Sequence, residues 1–494
     1  LIADEPTTAL DVTIQAQVMS VLADVRRRTG AAMVLITHDL GLVAETADRI
    51  AVMYSGRLVE ICPADAIFAT PSHPYTAGLE ASLPSIEQDA AALYSIPGNV
   101  PDPGRRPEGC PFHPRCAVSN GRVRCTEELP RLRETWAGRL AACHFAEETP
   151  AWAQARREEL SLRPADAEIG PAPVGDAAPV LRVGSLVKHF TVRRNFGLRR
   201  ETLKALRGVS FAIAKGRTLG LVGESGCGKS TLGRAVLRLI PVSGGTITVN
   251  GDELTLASGA RLRARRRNLQ IVFQDPYSSL DPRFTAHEIV AEPLRINGCY
   301  SRERVDELLR RVGLTPQAGK RLPAQFSGGQ RQRIAIARAM VLHPDILILD
   351  EAVSALDVSI QAQIVNLLKM LQADLGLAYL FISHDLSVVR HISDEVAVMY
   401  LGSIVEIGPT QRVFRSPAHP YTAALLSAVP SPDRRRERAP ALAKGEIPDP
   451  LSPPSGCAFR TRCPKAVDTC EQLIPELLER TGSGHFSACH FAGA

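Results

Sequence analysis

Residues 223–231 read Gly-Glu-Ser-Gly-Cys-Gly-Lys-Ser-Thr and match the pattern G-x-x-x-x-G-K-[ST]. Such a loop works in one context only, a buried strand that turns through glycines into a helix. Both flanks are present. Residues 218–222 (Thr-Leu-Gly-Leu-Val) are short and apolar, as a buried parallel strand requires, and residues 232–240 read as a helix. Gly223, Gly226 and Gly228 let the backbone N–H groups of Glu224, Ser225 and Cys227 curl around phosphate oxygens. The helix start adds the positive end of its dipole. Lys229 would reach the β- and γ-phosphates, the hydroxyl of Ser230 would sit on Mg²⁺, and Thr231 completes the motif. An α/β fold with a nucleotide site follows from this stretch alone.

The chain has 494 residues, room for two to four domains, and 45% apolar content supports real cores. Basic residues (58) barely exceed acidic ones (52), so the net charge of +6 does not by itself point to nucleic acid. No apolar run reaches the length of a membrane span, and nothing resembles a signal peptide. The expected place is therefore the cytosol, with membrane contact through a partner. Eleven cysteines then suggest metal or thiol chemistry more than disulfides.

The chain repeats itself. Residues 1–11 (Leu-Ile-Ala-Asp-Glu-Pro-Thr-Thr-Ala-Leu-Asp) return 346 residues on as 347–357 (Leu-Ile-Leu-Asp-Glu-Ala-Val-Ser-Ala-Leu-Asp). Thr37-His38-Asp39 returns as Ser383-His384-Asp385, and His73-Pro74-Tyr75 as His419-Pro420-Tyr421, at the same offset. A fixed offset implies two copies of one module. The second is complete from about residue 180. The first lacks a P-loop, so the chain is expected to be a fragment of a longer tandem protein. The expected parts are 1–60, the end of a first ATPase unit; 61–147, its cysteine-bearing extension; 148–179, an Ala/Pro/Glu/Arg linker with a short helix; 180–410, a complete unit; and 411–494, a second extension.

Residues 345–351 read as a buried strand ending in two carboxylates. Asp350 would serve Mg²⁺ and Glu351 would polarise the attacking water. Residues 326–333 (Phe-Ser-Gly-Gly-Gln-Arg-Gln-Arg) open a helix on a glycine turn. Here the chain resembles the ATP-binding cassette (ABC) family. Ser327, Gly328, Gly329 and Gln330 resemble its signature, Gln274 its Q-loop and Mg²⁺ contact, and residues 354–357 its D-loop. The resemblance implies that His384 contacts the γ-phosphate and that Phe190 stacks on adenine. Glu5 and His38 match Glu351 and His384 in the first copy. In this family each ATP lies between the P-loop of one half and the signature of the other. The first copy alone is thus expected to complete neither site, and a cassette–cassette dimer is implied.

Each copy ends in a loop-rich stretch with four cysteines. Cys110, Cys116, Cys125 and Cys143 have 5, 8 and 17 residues between them; Cys457, Cys463, Cys470 and Cys489 have 5, 6 and 18. With the two His-Pro-Tyr motifs, this resembles the C-terminal region of oligopeptide and dipeptide importer ATPases. That resemblance implies a [4Fe–4S] cluster in each quartet, with zinc as the alternative; reduced buried thiols are the plain reading. The arginines at 261, 263 and 265–267 read as a solvated helix face, so no nucleic acid is expected.

The resemblance implies P-loop ABC cassettes, one complete and one partial, forming the ATPase of a peptide importer. It binds ATP and Mg²⁺, sits on the cytoplasmic face of the membrane, and works with two permease subunits and a substrate-binding protein. The rival is a soluble tandem ABC ATPase acting on ribosomes or nucleic acid.

Overall fold

A computed structural model describes residues 1–7, 10–83, 93–101, 104, 106–136, 138–162, 178–194, 199–354, 356–430, 445–479 and 484–492. Thr8, Ala9 and Ala355 of the two D-loop motifs, and 163–177 of the expected linker, lie outside the described residues.

Five strands run parallel in the order Leu269–Val272, Ile346–Asp350, Ala378–Ile382, Thr218–Val222 and Glu395–Tyr400. The middle three are buried at every position. They are continuous apolar runs because packed elements cover both faces of the sheet. Alternate side chains feed two cores. Ile346 and Ile348 pack with Leu232 and Val236, while Leu347 and Leu349 pack with Ile334 and Leu368. The strand leading into the glycine-rich loop sits inside this sheet. The ends of its parallel neighbours therefore deliver Gln274, Asp350, Glu351 and His384 to the same edge.

An antiparallel sheet of Leu181–Arg194, Arg199–Ile213, Gly244–Val249 and Asp252–Glu253 shares the core of Leu219 and Leu221. Helices Ala286–Ile296, Arg302–Arg311 and Gly328–Met340 lie beside the main sheet. The first and third open on capping boxes, Thr285 with Glu288 and Ser327 with Gln330. The basic run forms the helix Gly259–Arg266 with no buried residue.

The second extension is not a separate body. After Ser403–Pro409 the chain returns through Leu478–Glu479 to Phe486–Ser487, which pairs with Ser403–Pro409 and continues the main sheet.

The first region repeats this geometry in part. Asp4 lies opposite Ile36 in a parallel pair, as Asp350 lies opposite Ile382. The strands Arg49–Tyr54 and Arg57–Pro63 shift register between Val52 and Met53, as their counterparts do between Val398 and Met399. Glu5 and Glu351 both adopt left-handed backbone, at φ 43° and 49°. The expected linker begins as a helix, Thr149–Leu162, docked on the first region. Arg157 bonds Glu80 at 3.1 Å and the Phe68 carbonyl at 2.6 Å.

Candidate active site

The loop at 223–231 needs its glycines. Gly223 sits at φ 150°, and a Cβ there would come within 2.2 Å of the Met399 carbonyl oxygen. Gly228 sits at φ 109°, and its Cβ would come within 2.7 Å of the Ala205 carbonyl oxygen. The helix Lys229–Val236 starts directly after, so its free N–H groups face the loop. Lys229 is buried and donates to the carbonyls of Gly223 at 2.5 Å and Glu224 at 3.1 Å. The Ser230 hydroxyl donates to Asp350 at 2.9 Å.

Asp350 is 3% exposed, and burial raises its pKa. A buried carboxylate beside a hydroxyl, at the base of a phosphate loop, is the hard-oxygen pair that Mg²⁺ takes alongside phosphate oxygens and water. The residues present fit that ion. Glu351 accepts from the Gln274 amide at 2.6 Å, and His384 Nδ1 lies 3.7 Å from the same carboxylate oxygen. The neighbouring histidine lowers the Glu351 pKa, and Glu351 in turn raises that of His384. Glu351 is therefore ionised at neutral pH, as a proton acceptor must be.

Lys229, Ser230, Gln274, Glu351 and His384 face one cavity of about 760 Å³, lined also by Phe190, Ser225, Gly226, Gly228 and Thr231; Asp350 reaches it only through Ser230. The Lys188 ammonium lies 4.6 Å from the Phe190 ring centre. Cys227 is buried behind the loop.

The first region closes on the same loop. Asp11 accepts from both the N–H of Ser225 and its hydroxyl, the latter at 2.9 Å. Thr13 donates to Glu224 at 2.7 Å. Thr7, Gln15, His38 and Asp39 line the cavity from that side. Glu5 is not among its lining residues and lies 3.3 Å from His38. Ser327, Gly328, Gly329 and Gln330 are also not among them. They start the helix Gly328–Met340, where Gly329 packs so tightly that a Cβ would meet Ile360 at 2.4 Å.

In each extension the four thiols line one small cavity. None of the eleven cysteines forms a disulfide. Among the described residues, no three His, Cys, Asp or Glu side chains gather closely enough to hold a metal ion. The expectation of a cluster or zinc is thus not supported by this arrangement. Burial pushes Cys143 up to about 12, and Cys116 and Cys457 to about 11.

Sequence reasoning missed three residues that hold the loop: Thr13, Arg462 and Tyr421. It read Asp11 as the end of the first copy's D-loop and Tyr421 as part of the repeat and of the importer resemblance, not as groups that touch the loop. A signal for Arg462 was present, because Arg115 and Arg462 each directly precede the second cysteine of a quartet.

The profile of the ABC transporter family matches residues 206–354. The profile of the oligopeptide/dipeptide transporter C-terminal region matches twice, at 59–122 and 405–470. The chain is 47% identical over 442 residues to the oligopeptide transport ATP-binding protein OppD of Mycobacterium tuberculosis, covering 88% of this chain and 71% of that protein. It is 46% identical over 502 residues to the glutathione import ATP-binding protein GsiA of Pectobacterium atrosepticum, covering 100% of this chain and 69% of that protein. Against GsiA of Escherichia coli (strain K12) it is 46% identical over 444 residues, covering 89% and 62%.

Proposed function

The chain belongs to the ATP-binding proteins of ABC transporters, in the group that carries the oligopeptide/dipeptide transporter C-terminal region, and we propose that it energises uptake of oligopeptides or dipeptides by hydrolysing ATP. The observation that carries the reading is the cavity onto which Lys229, Ser230, Gln274, Glu351 and His384 converge, with Asp350 directly behind Ser230 through its hydrogen bond. Loop N–H groups and Lys229 bind the phosphates, and Phe190 stacks on the base. Ser230 and Asp350 hold Mg²⁺, which neutralises phosphate charge when bound. Glu351 takes the proton of the attacking water, while Gln274 and His384 hold its carboxylate in place.

In this proposal residues 1–60 are the end of a second cassette of the same kind, and 61–147 its extension. The shared strand registers and the two matches to the C-terminal region support that. Among the described residues no helix is long and apolar enough to cross a membrane. The chain then works at the cytoplasmic face, docked on two permease subunits that receive peptide from a substrate-binding protein. Cluster binding by the quartets is the finest part of the proposal. Its support is the match to the importer C-terminal region and not the side-chain arrangement, and iron analysis of anaerobically purified protein tests it.

The test pairs ATPase measurements with uptake of labelled peptide and of labelled glutathione in cells lacking the native protein. Peptide uptake restored by the wild-type chain with its permeases, but not by Lys229→Ala, supports the reading. Restoration of glutathione uptake alone would move the substrate. Hydrolysis by Lys229→Ala at the wild-type rate would sink the site.

A further inference from the structure

The P-loop is held from behind by the cysteine-bearing extension. Arg462 aims both terminal nitrogens at Glu224: Nη1 donates to Oε2 at 2.7 Å and Nη2 to Oε1 at 2.9 Å. The two side chains are 3% and 2% exposed. Tyr421, from the second His-Pro-Tyr motif, accepts from the N–H of Glu224 at 2.9 Å. Phe459 packs against Tyr400 and Tyr421, with ring centres 5.4 Å away in both cases. From the other side Thr13 donates to the same Glu224 carboxylate. One loop residue therefore joins the extension, the nucleotide site and the first region.

We propose that Arg462 is a positioning residue for nucleotide binding, and that the second extension sets the conformation of the P-loop through the buried Arg462–Glu224 pair. The inference rests on reading 223–231 as the MgATP site. Glu224 places a negative charge inside a loop whose backbone must receive anionic phosphate. Arg462 cancels that charge, and its planar fork fixes the carboxylate's direction, which a lysine ammonium does not. Without Arg462 the carboxylate is buried and unpaired, opposes phosphate and pulls the loop toward water. Coupling of this kind is reciprocal, so MgATP must also tighten the segment that carries Arg462.

The test uses the full chain and calorimetric titration with MgATP. Lys229→Ala is the control: if it binds like wild type, the reading of the ATP site fails and Arg462 is not at issue. Arg462→Met is expected to weaken MgATP at least tenfold, on the order of what an uncompensated buried charge does. Arg462→Met/Glu224→Gln removes both charges and is expected to return to within about threefold of wild type, because the two changes are coupled. In wild type, MgATP is expected to slow backbone hydrogen exchange across residues 457–463; in the pair variant it is not. Wild-type affinity in Arg462→Met would overturn the proposal. So would a pair variant as weak as Arg462→Met, which would indicate general damage to the extension. Exchange at 457–463 that ignores MgATP in wild type would overturn it as well. If Arg462→Met does not fold, the exchange comparison between wild type and the pair variant decides.

Discussion

Arg115 and Arg462 stand at matching places in the two quartets and are equally buried, at 3% exposure. Arg462 ends on the Glu224 carboxylate. Arg115 instead donates to the Pro97 carbonyl at 2.9 Å, with Tyr54 and the Ile96 carbonyl as its longer contacts at 3.4 and 3.5 Å. Among the described residues it meets no carboxylate. The two Glu–His pairs differ in the same way. Side chains of Glu5 and His38 are 46% and 49% exposed, against 14% and 27% for Glu351 and His384. The motif residues match in type and position. The P-loop, Gln274 and the sheet around the second copy enclose them and turn a motif into a site.

The largest effect that can break this comparison lies at the two glutamates. Glu351→Gln is expected to lower ATP turnover by about 10²- to 10⁴-fold while MgATP still binds, the usual cost of losing a positioned base. Glu5→Gln in the same chain is expected to change turnover less than about twofold, because Glu5 does not line the cavity. Equal losses in steady-state assays would mean the first copy works as a site of its own.

The arginines come next. Arg462→Met leaves a buried carboxylate behind and is expected to cost about 3–5 kcal/mol in urea unfolding. Arg115→Met loses hydrogen bonds to neutral acceptors and is expected to cost about 1–2 kcal/mol. A larger loss at Arg115 would reverse the ranking.

A smaller effect is a pH dependence confined to one pair. The pKa of His384 is raised above the ordinary 6.5, so its contribution is fully present below that value and is lost as pH rises through the raised one. Glu351 is lowered from 4.5, so its contribution is present above that value and is lost as pH falls through the lowered one. The pair is strongest between these two ordinary values. In Glu351→Gln the His384 titration, followed by NMR, is expected to move down; an unmoved titration would deny the pair.

Much of this was legible in the chain. The buried strands are uninterrupted apolar runs, and the loop, carboxylates and His384 stand at strand ends, where local spacing reveals them. The hidden part consists of contacts between ordinary-looking residues far apart in sequence. Asp11 reaches Ser225 across 214 positions, and Arg462 reaches Glu224 across 238. The helix Thr149–Leu162 read as linker because its composition is polar. What docks it is the ion pair of Arg157 with Glu80, 77 positions away.

The central claim is that the first region and the ATP site of the second close on each other within one chain. Its most direct test is the MgATP affinity of the monomer, with the monomeric state verified by sedimentation, for wild type and Asp11→Ala/Thr13→Val. The double change removes the Asp11 carboxylate from Ser225 and the Thr13 hydroxyl from Glu224. Lost hydrogen bonds to charged groups at this scale predict an affinity at least about tenfold weaker. An unchanged affinity would contradict the claim and leave the second region to bind its nucleotide unaided.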